Sequence, residues 1–276
     1  MSFWKKLFSK KEAENKTVSP LEGYSSDANE SEPTTSSDLE NLVAPLIRPA
    51  TKIKVLPASR PAENSQLNSH FGGQPYFEHG EKWPTTKNDK PLDFIFQVFN
   101  SPDLQLPKDI ELIQFYYDFD EYPWDTADDG WLVKIYKKIQ KENIQLTEKP
   151  TALNKSRYCE IIFEAAKSLP DWDGILIYNQ KVLKLSASLN SDKPWDNYQQ
   201  VVTKLIGEQD FQSQLGGYPK WIQGNGTPDD AEGNPMELLF QLDSEENAGL
   251  MWGDVGLVYV FYDGQTGQIL FSLQCH

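Results

Sequence analysis

The chain writes one stretch twice, and this limits its folds more than any other feature. Phe71–Asn100 (FGGQPYFEHGEKWPTTKNDKPLDFIFQVFN) returns as Leu215–Ser244 (LGGYPKWIQGNGTPDDAEGNPMELLFQLDS) at a constant offset of 144. The copies share eight identities in 30 positions, among them Gly72/Gly216, Gly73/Gly217, Pro75/Pro219, Phe96/Phe240 and Gln97/Gln241. Average composition gives about two such coincidences. After a one-residue slip the match resumes: Asp109, Leu112, Tyr117 and Asp118 return as Asp254, Leu257, Tyr262 and Asp263. Two copies predict a duplicated half-domain, not a solenoid.

Each copy predicts the same order of elements. Gly-Gly-x-Pro is turn chemistry, because glycine permits positive φ and proline fixes its own. A loop rich in Gly, Pro, Asn and Asp follows. Leu92–Phe99 and Met236–Asp243 then read as strands buried on both faces. Ile110–Tyr117 and Val255–Tyr262 read as second strands. Elsewhere, Trp131–Tyr136, Tyr158–Phe163 and Ile269–Leu273 read as strands, and Thr51–Leu56 as a half-exposed one. Leu42–Ile47 suits a single helical turn. Ile175–Leu185 is apolar without a clear period. The clearest helix is Pro194–Ile206, with Ser191 or Asp192 as its cap and Gly207 as its end. The fold class expected is α+β: mostly antiparallel β with few helices, built from two related half-repeats, about 71–118 and 215–263, sharing one core.

Charge narrows the partners. A net charge of −15 argues against nucleic-acid binding and for a basic partner. Two cysteines, Cys159 and Cys275, give no disulfide framework and suit a reducing compartment. No apolar run spans a membrane, and no secretory signal is present, so a cytoplasmic location is expected. Residues 1–11 (MSFWKKLFSKK) place Phe3, Trp4, Leu7 and Phe8 on one helical face, away from the lysines. That pattern suits weak contact with a membrane surface, or merely a frayed start. Residues 12–41 carry eight acids, one lysine and many Ser, Thr and Pro, the composition of a disordered linker. A single domain is expected over 42–276.

A search for chemistry returns no catalytic signature, so no catalytic residue, cofactor or metal is expected. His70 and His79 flank the first Gly-Gly turn, but the second copy has Gln214 and Gln223 there. Cys159 reads as a buried thiol. Four residues are candidates for lining a cleft between the repeats: Gln97, Gln241, Trp252 and Asp254. The structural alternative makes the two glutamines a hydrogen-bond network at the repeat interface and Asp254 a turn cap. A second candidate surface is the acidic aromatic loop Asp118–Trp131 (DFDEYPWDTADDGW). Its Asp120, Glu121, Tyr122, Trp124, Asp125, Asp128 and Asp129 offer charge and aromatic anchors to a partner. Six carboxylates also suit a hard cation, but Pro123 stands where an EF-hand needs its turn glycine.

Phe71–Tyr76, Trp83-Pro84 and Pro91–Gln97 resemble a signature of the YwqG-like bacterial proteins, a family of unknown function. Leu215–Pro219 with Ile222-Gln223, Leu238–Asp243, Met251–Gly256 and Leu273–Cys275 resemble its later signatures. The likeness covers about residues 42–276. Some relatives carry a Cys-x-x-Cys pair before the first of these strands. Thr85–Lys90 and Asp229–Asn234 have no cysteine, so any metal knuckle of those relatives is expected to be absent here. The resemblance implies a cytoplasmic, sheet-dominated protein. Since some relatives sit beside secreted toxins, it also suggests immunity. The function expected is non-enzymatic binding, with this chain as an immunity protein that masks a basic toxin domain. The alternative is a small-ligand binder or enzyme with a cleft between the repeats.

Overall fold

Strand runs that are apolar at every position can be covered only if both faces of a sheet are covered. The computed structural model describes residues 36–150, 153, 156–210 and 212–276, and it builds such a sheet. Its strands are β1 (Arg48–Val55), β2 (His70–Phe71), β3 (Asp93–Phe99), β4 (Leu112–Tyr117) and β5 (Trp131–Tyr136). They continue with β6 (Cys159–Ser168), β7 (Gln214–Gly216), β8 (Glu237–Asp243), β9 (Leu257–Tyr262) and β10 (Ile269–Gln274). All ten form one sheet in the order β10-β9-β8-β7-β1-β6-β2-β3-β4-β5, and every pairing is antiparallel. The basic segment 1–11, and the expected linker up to residue 35, lie outside the described residues.

The sheet curls into a nearly closed barrel. Phe96, Phe115, Tyr117, Phe240, Trp252, Val260 and Phe271 fill its interior. The outer face is covered in two places: Phe77, Trp83 and Leu153 lie over Phe94 and Tyr116, while Trp221 and Ile222 lie over Leu238, Tyr259 and Phe261. Bulges make this two-sided burial fit. The β3–β4 register slips between Phe94 and Phe96, and the β8–β9 register slips between Leu238 and Phe240. Each slip turns two successive residues inward, Ile95 with Phe96 and Leu239 with Phe240.

Several expectations need correction. Thr51–Leu56 is half-exposed as read, with Thr51 and Ile53 buried and Lys54 exposed, but its strand starts at Arg48 and lies mid-sheet, paired with β6 from Arg48↔Ser168 to Val55↔Ile161. β6 runs on to Ser168, because β1 offers it partners along that whole length. The linker expected through residue 41 is already helical in α1 (Ser36–Val43), which buries Leu39 and Val43. Ile175–Leu185 resolves into α2 (Ile175–Tyr178) and α3 (Gln180–Leu189). Helix α4 spans Pro194–Ile206 and ends at Gly207 with φ 77, as read from the sequence. Neither Ser191 nor Asp192 caps it; the Asn190 side chain accepts from the amides of Asp192 and Lys193 at 3.1 Å. The four helices share a separate apolar cluster around Tyr198 and Val182. No helix among the described residues is long and apolar enough to cross a membrane.

Candidate functional site

The four residues proposed to line a cleft do not meet in one. Phe96 and Phe240 face each other inside the barrel at 4.9 Å, so strand alternation turns Gln97 and Gln241 to the outer face. Both amides are fully buried and occupied. Gln97 Oε1 accepts from the Tyr76 amide at 2.9 Å, and its Nε2 donates to the carbonyls of Gln66 and Asn68. Gln241 Oε1 accepts from the Lys220 amide at 2.9 Å, and its Nε2 donates to the Gln212 carbonyl. Each glutamine thus pins the irregular chain around its own Gly-Gly turn to the outside of the sheet. Neither bridges an interface between the copies. Trp252 lies in the interior, where its Nε1 donates to the Asp243 carbonyl at 2.9 Å and its ring stacks on Phe119. Asp254 is exposed, and its carbonyl accepts from the His276 amide at 3.1 Å.

The acidic loop is built, not merely repelled by its own charge. Asp118 is nearly buried; its Oδ1 accepts from Lys90 Nζ at 2.7 Å and from the Asp120 amide at 2.9 Å. Lys90 also reaches Asp120 at 3.0 Å. Asp128 Oδ2 accepts from the Trp124 amide at 2.7 Å, Asp125 Oδ1 from the Ala127 amide at 2.7 Å, and Asp129 Oδ2 from the Lys87 amide at 2.9 Å. Backbone donors thus take up charge that a cation would otherwise neutralise. Glu121, Asp128 and Asp129 line a surface hollow of about 400 Å³. Among the described residues no group of three or more His, Cys, Asp or Glu is arranged to hold a metal ion.

This loop closes the barrel. Its Trp124 carbonyl accepts from the Leu273 amide at 2.9 Å, and Thr126 Oγ1 accepts from the Phe271 amide at 2.7 Å. Asp125 forms a β-bridge with Ser272. Behind it, Trp131 stacks on Phe271 at 5.1 Å. Tyr122, held at φ 56, accepts from the Gly253 amide and donates to the Met251 carbonyl at 3.2 Å. The loop therefore meets the Met251–Val255 turn, which carries two of the four cleft candidates, Trp252 and Asp254.

Three apolar side chains stand out at this seam: Trp124 is 46% exposed, Met251 55% and Val255 54%. A Cβ built on Gly253 would lie 3.8 Å from Trp124 Cη2, which places the indole against the turn. Val255 holds φ 50, a conformation that a β-branched residue adopts only under strain. Trp124 shares its surface hollow with Glu121, Asp128 and Asp129, and Asp254 lies in the same turn as Met251 and Val255. Sequence reasoning missed Met251 and Val255. Their one signal is position: both flank a buried tryptophan in a short turn, where an apolar residue has no inward direction left.

The histidines do not converge. His70 is buried in β2 between the rings of Phe94 and Tyr158, while His79 occupies an exposed turn. His70 Nδ1 lies 3.4 Å from the Phe71 carbonyl and Nε2 has no partner; burial pushes the imidazole down to about 4. The Cys159 thiol is buried, and desolvation raises it above its ordinary value, which disfavours a reactive thiolate.

One hollow does lie between the copies, with other walls than expected. It measures about 320 Å³ and is bounded by Gln105–Pro107 on one side and by Gly216, Gly217 and Glu237–Leu239 on the other, with Arg48 at its rim.

The family described as "Domain of unknown function (DUF1963)" matches residues 69–265. No curated protein matches the chain.

Proposed function

The chain belongs to the DUF1963 family, a domain of unknown function, and from the seam of its barrel we propose that it is a non-enzymatic binding protein. Within that family we read it as YwqG-like, and we read its partner as a basic protein. The observation that carries this is the exposed trio of Met251 and Val255, on a strained turn, and Trp124, which shares a hollow with Glu121, Asp128 and Asp129. Large apolar anchors within a polar rim are the usual anatomy of an interface centre. The surrounding negative charge speeds capture of a cationic partner and makes it salt-sensitive. A toxin domain such as a nuclease fits that chemistry, with this chain as its immunity protein.

We also read the sheet as two duplicated half-domains. Two observations support this: both bulges fall at the repeat offset, and both Gly-Gly turns hold positive φ, 55 and 71 in one, 62 and 73 in the other.

The test is to express the chain with the proteins encoded beside its gene. The expected result is an equimolar complex with one basic protein whose toxicity the chain suppresses. Reversing Glu121 and Asp254 to lysine, two acids whose side chains do not hold the loop, should slow association about tenfold at low salt. An unchanged on-rate would remove the seam as the docking face. Absence of a complex with any neighbour would overturn the immunity reading.

A further inference from the structure

We propose that the hollow between Gln105–Pro107 and the Gly216-Gly217 turn is a binding site for a short peptide with free termini. Its carboxylate rests on Arg48 and its ammonium group points toward Glu237.

Arg48 is the first reason. The Arg48 side chain makes no hydrogen bond or ion pair with another described residue; its guanidinium lies over Tyr218 at 4.4 Å and near Tyr178 at 5.5 Å. The two rings meet edge to face at 4.8 Å, and Tyr218 is fixed by donating to the Leu46 carbonyl at 2.8 Å. Aromatic faces hold the cation without using its N–H fork, which stays available for a planar carboxylate.

The strand edge is the second. β8 pairs with β9 from Glu237 to Asp243, but with β7 only at Phe240 and Gln241. The chain turns away at Gly216, so Glu237 and Leu238 have no strand beside them there, and both line the hollow. A peptide backbone can pair with such an edge. The opposite wall is preformed: Thr51 Oγ1 accepts from the Gln105 amide at 2.9 Å. A Cβ on Gly216 would come within 2.9 Å of Gln105 Cβ, so glycine lets the two walls approach.

Charge is the third. A second hollow of about 310 Å³ shares Glu237, Tyr262 and Gly264 and adds Asp230 and Asp263. The two hollows adjoin at these shared residues, with Arg48 lining the first and Asp230 and Asp263 the second. A polyanion is repelled by the acidic end and a simple cation by Arg48, whereas a zwitterion matches both.

The experiment is an NMR titration of the full chain with trialanine, its C-terminal amide and its N-acetyl form. Shifts should appear at the amides of Gly216, Gly217 and Leu238. Amidation and Arg48→Gln should each weaken binding about tenfold, and together no more than either alone, since both remove one contact. Glu237→Gln should weaken trialanine but not its N-acetyl form. If Arg48→Gln does not fold, Arg48→Lys keeps the charge without the fork and should still lose affinity. Equal affinity for the amide, or no shifts at several millimolar peptide, overturns the site. Trp124→Ala should leave trialanine binding intact, so failure here does not touch the proposed partner surface.

Discussion

Phe96 and Phe240 meet edge to face inside the barrel, their ring centroids 4.9 Å apart and their planes at 75°. They occupy corresponding positions in β3 and β8, each just after a bulge. Both are fully buried. Replacing either with alanine should cost about 3–5 kcal/mol, and a double-mutant cycle should show a coupling of about 1 kcal/mol. Urea unfolding measures both. Strict additivity would mean that the rings do not hold each other in solution.

His70 should make the fold acid-sensitive. Its folded value is pushed down to about 4 by burial, from 6.5 in the unfolded chain. Above 6.5 both states are neutral and stability does not depend on this group. As pH falls from 6.5 toward 4, the unfolded chain takes up a proton that the folded one refuses, so stability drops. The loss should reach about 3 kcal/mol near pH 4. His70→Gln, which copies Gln214 from the second repeat, should remove it. Asp171, raised to about 6 by burial, contributes the opposite slope. The difference between variant and wild type across this range therefore isolates the imidazole.

Gln97 and Gln241 should behave as structural amides. Gln97→Met keeps the volume but strands the Tyr76 amide and the carbonyls of Gln66 and Asn68. A cost of about 3 kcal/mol is expected. A variant of unchanged stability, measured by thermal unfolding, would return the glutamine to the list of residues free to bind something.

Val255→Gly should stabilise the protein while weakening partner binding. Relief of a strained φ is worth about 1–3 kcal/mol, and the added freedom of glycine takes back about 1. A net gain near 1 kcal/mol is expected, with loss of an apolar anchor at the seam. A lower melting temperature would show that φ 50 is not strained here.

Much of this architecture is legible because strands buried on both faces are apolar at nearly every position. Asp93–Phe99, Leu112–Tyr117 and Leu257–Tyr262 stand out for that reason, as does the periodic face of α4. β1 hides its place in the sheet: Lys52 and Lys54 suggest an exposed strand, yet Lys52 reaches Asp210 at 2.9 Å across its neighbours. The closure of the barrel is invisible locally, since Trp124, Thr126 and β10 are far apart in the chain. Gln97 and Gln241 are conspicuous in the sequence, but their partners are backbone groups, which carry no sequence signal. Val255 reads as the start of a strand; only the three-dimensional turn makes it an exposed, strained knob.

The position of β1 has a consequence for synthesis. It leaves the ribosome before every other described strand, yet its two neighbours, β6 and β7, follow far downstream. Until they emerge, Arg48–Val55 is an unpaired strand, and such segments are open to the wrong partners. Lys52 and Lys54 interrupt its apolar positions, and lysine is a residue that discourages strand-to-strand aggregation. The same charges that disguise β1 as a surface strand thus protect it while it waits. Among the described strands, the one at the middle of the sheet is the first made and among the last to be completed.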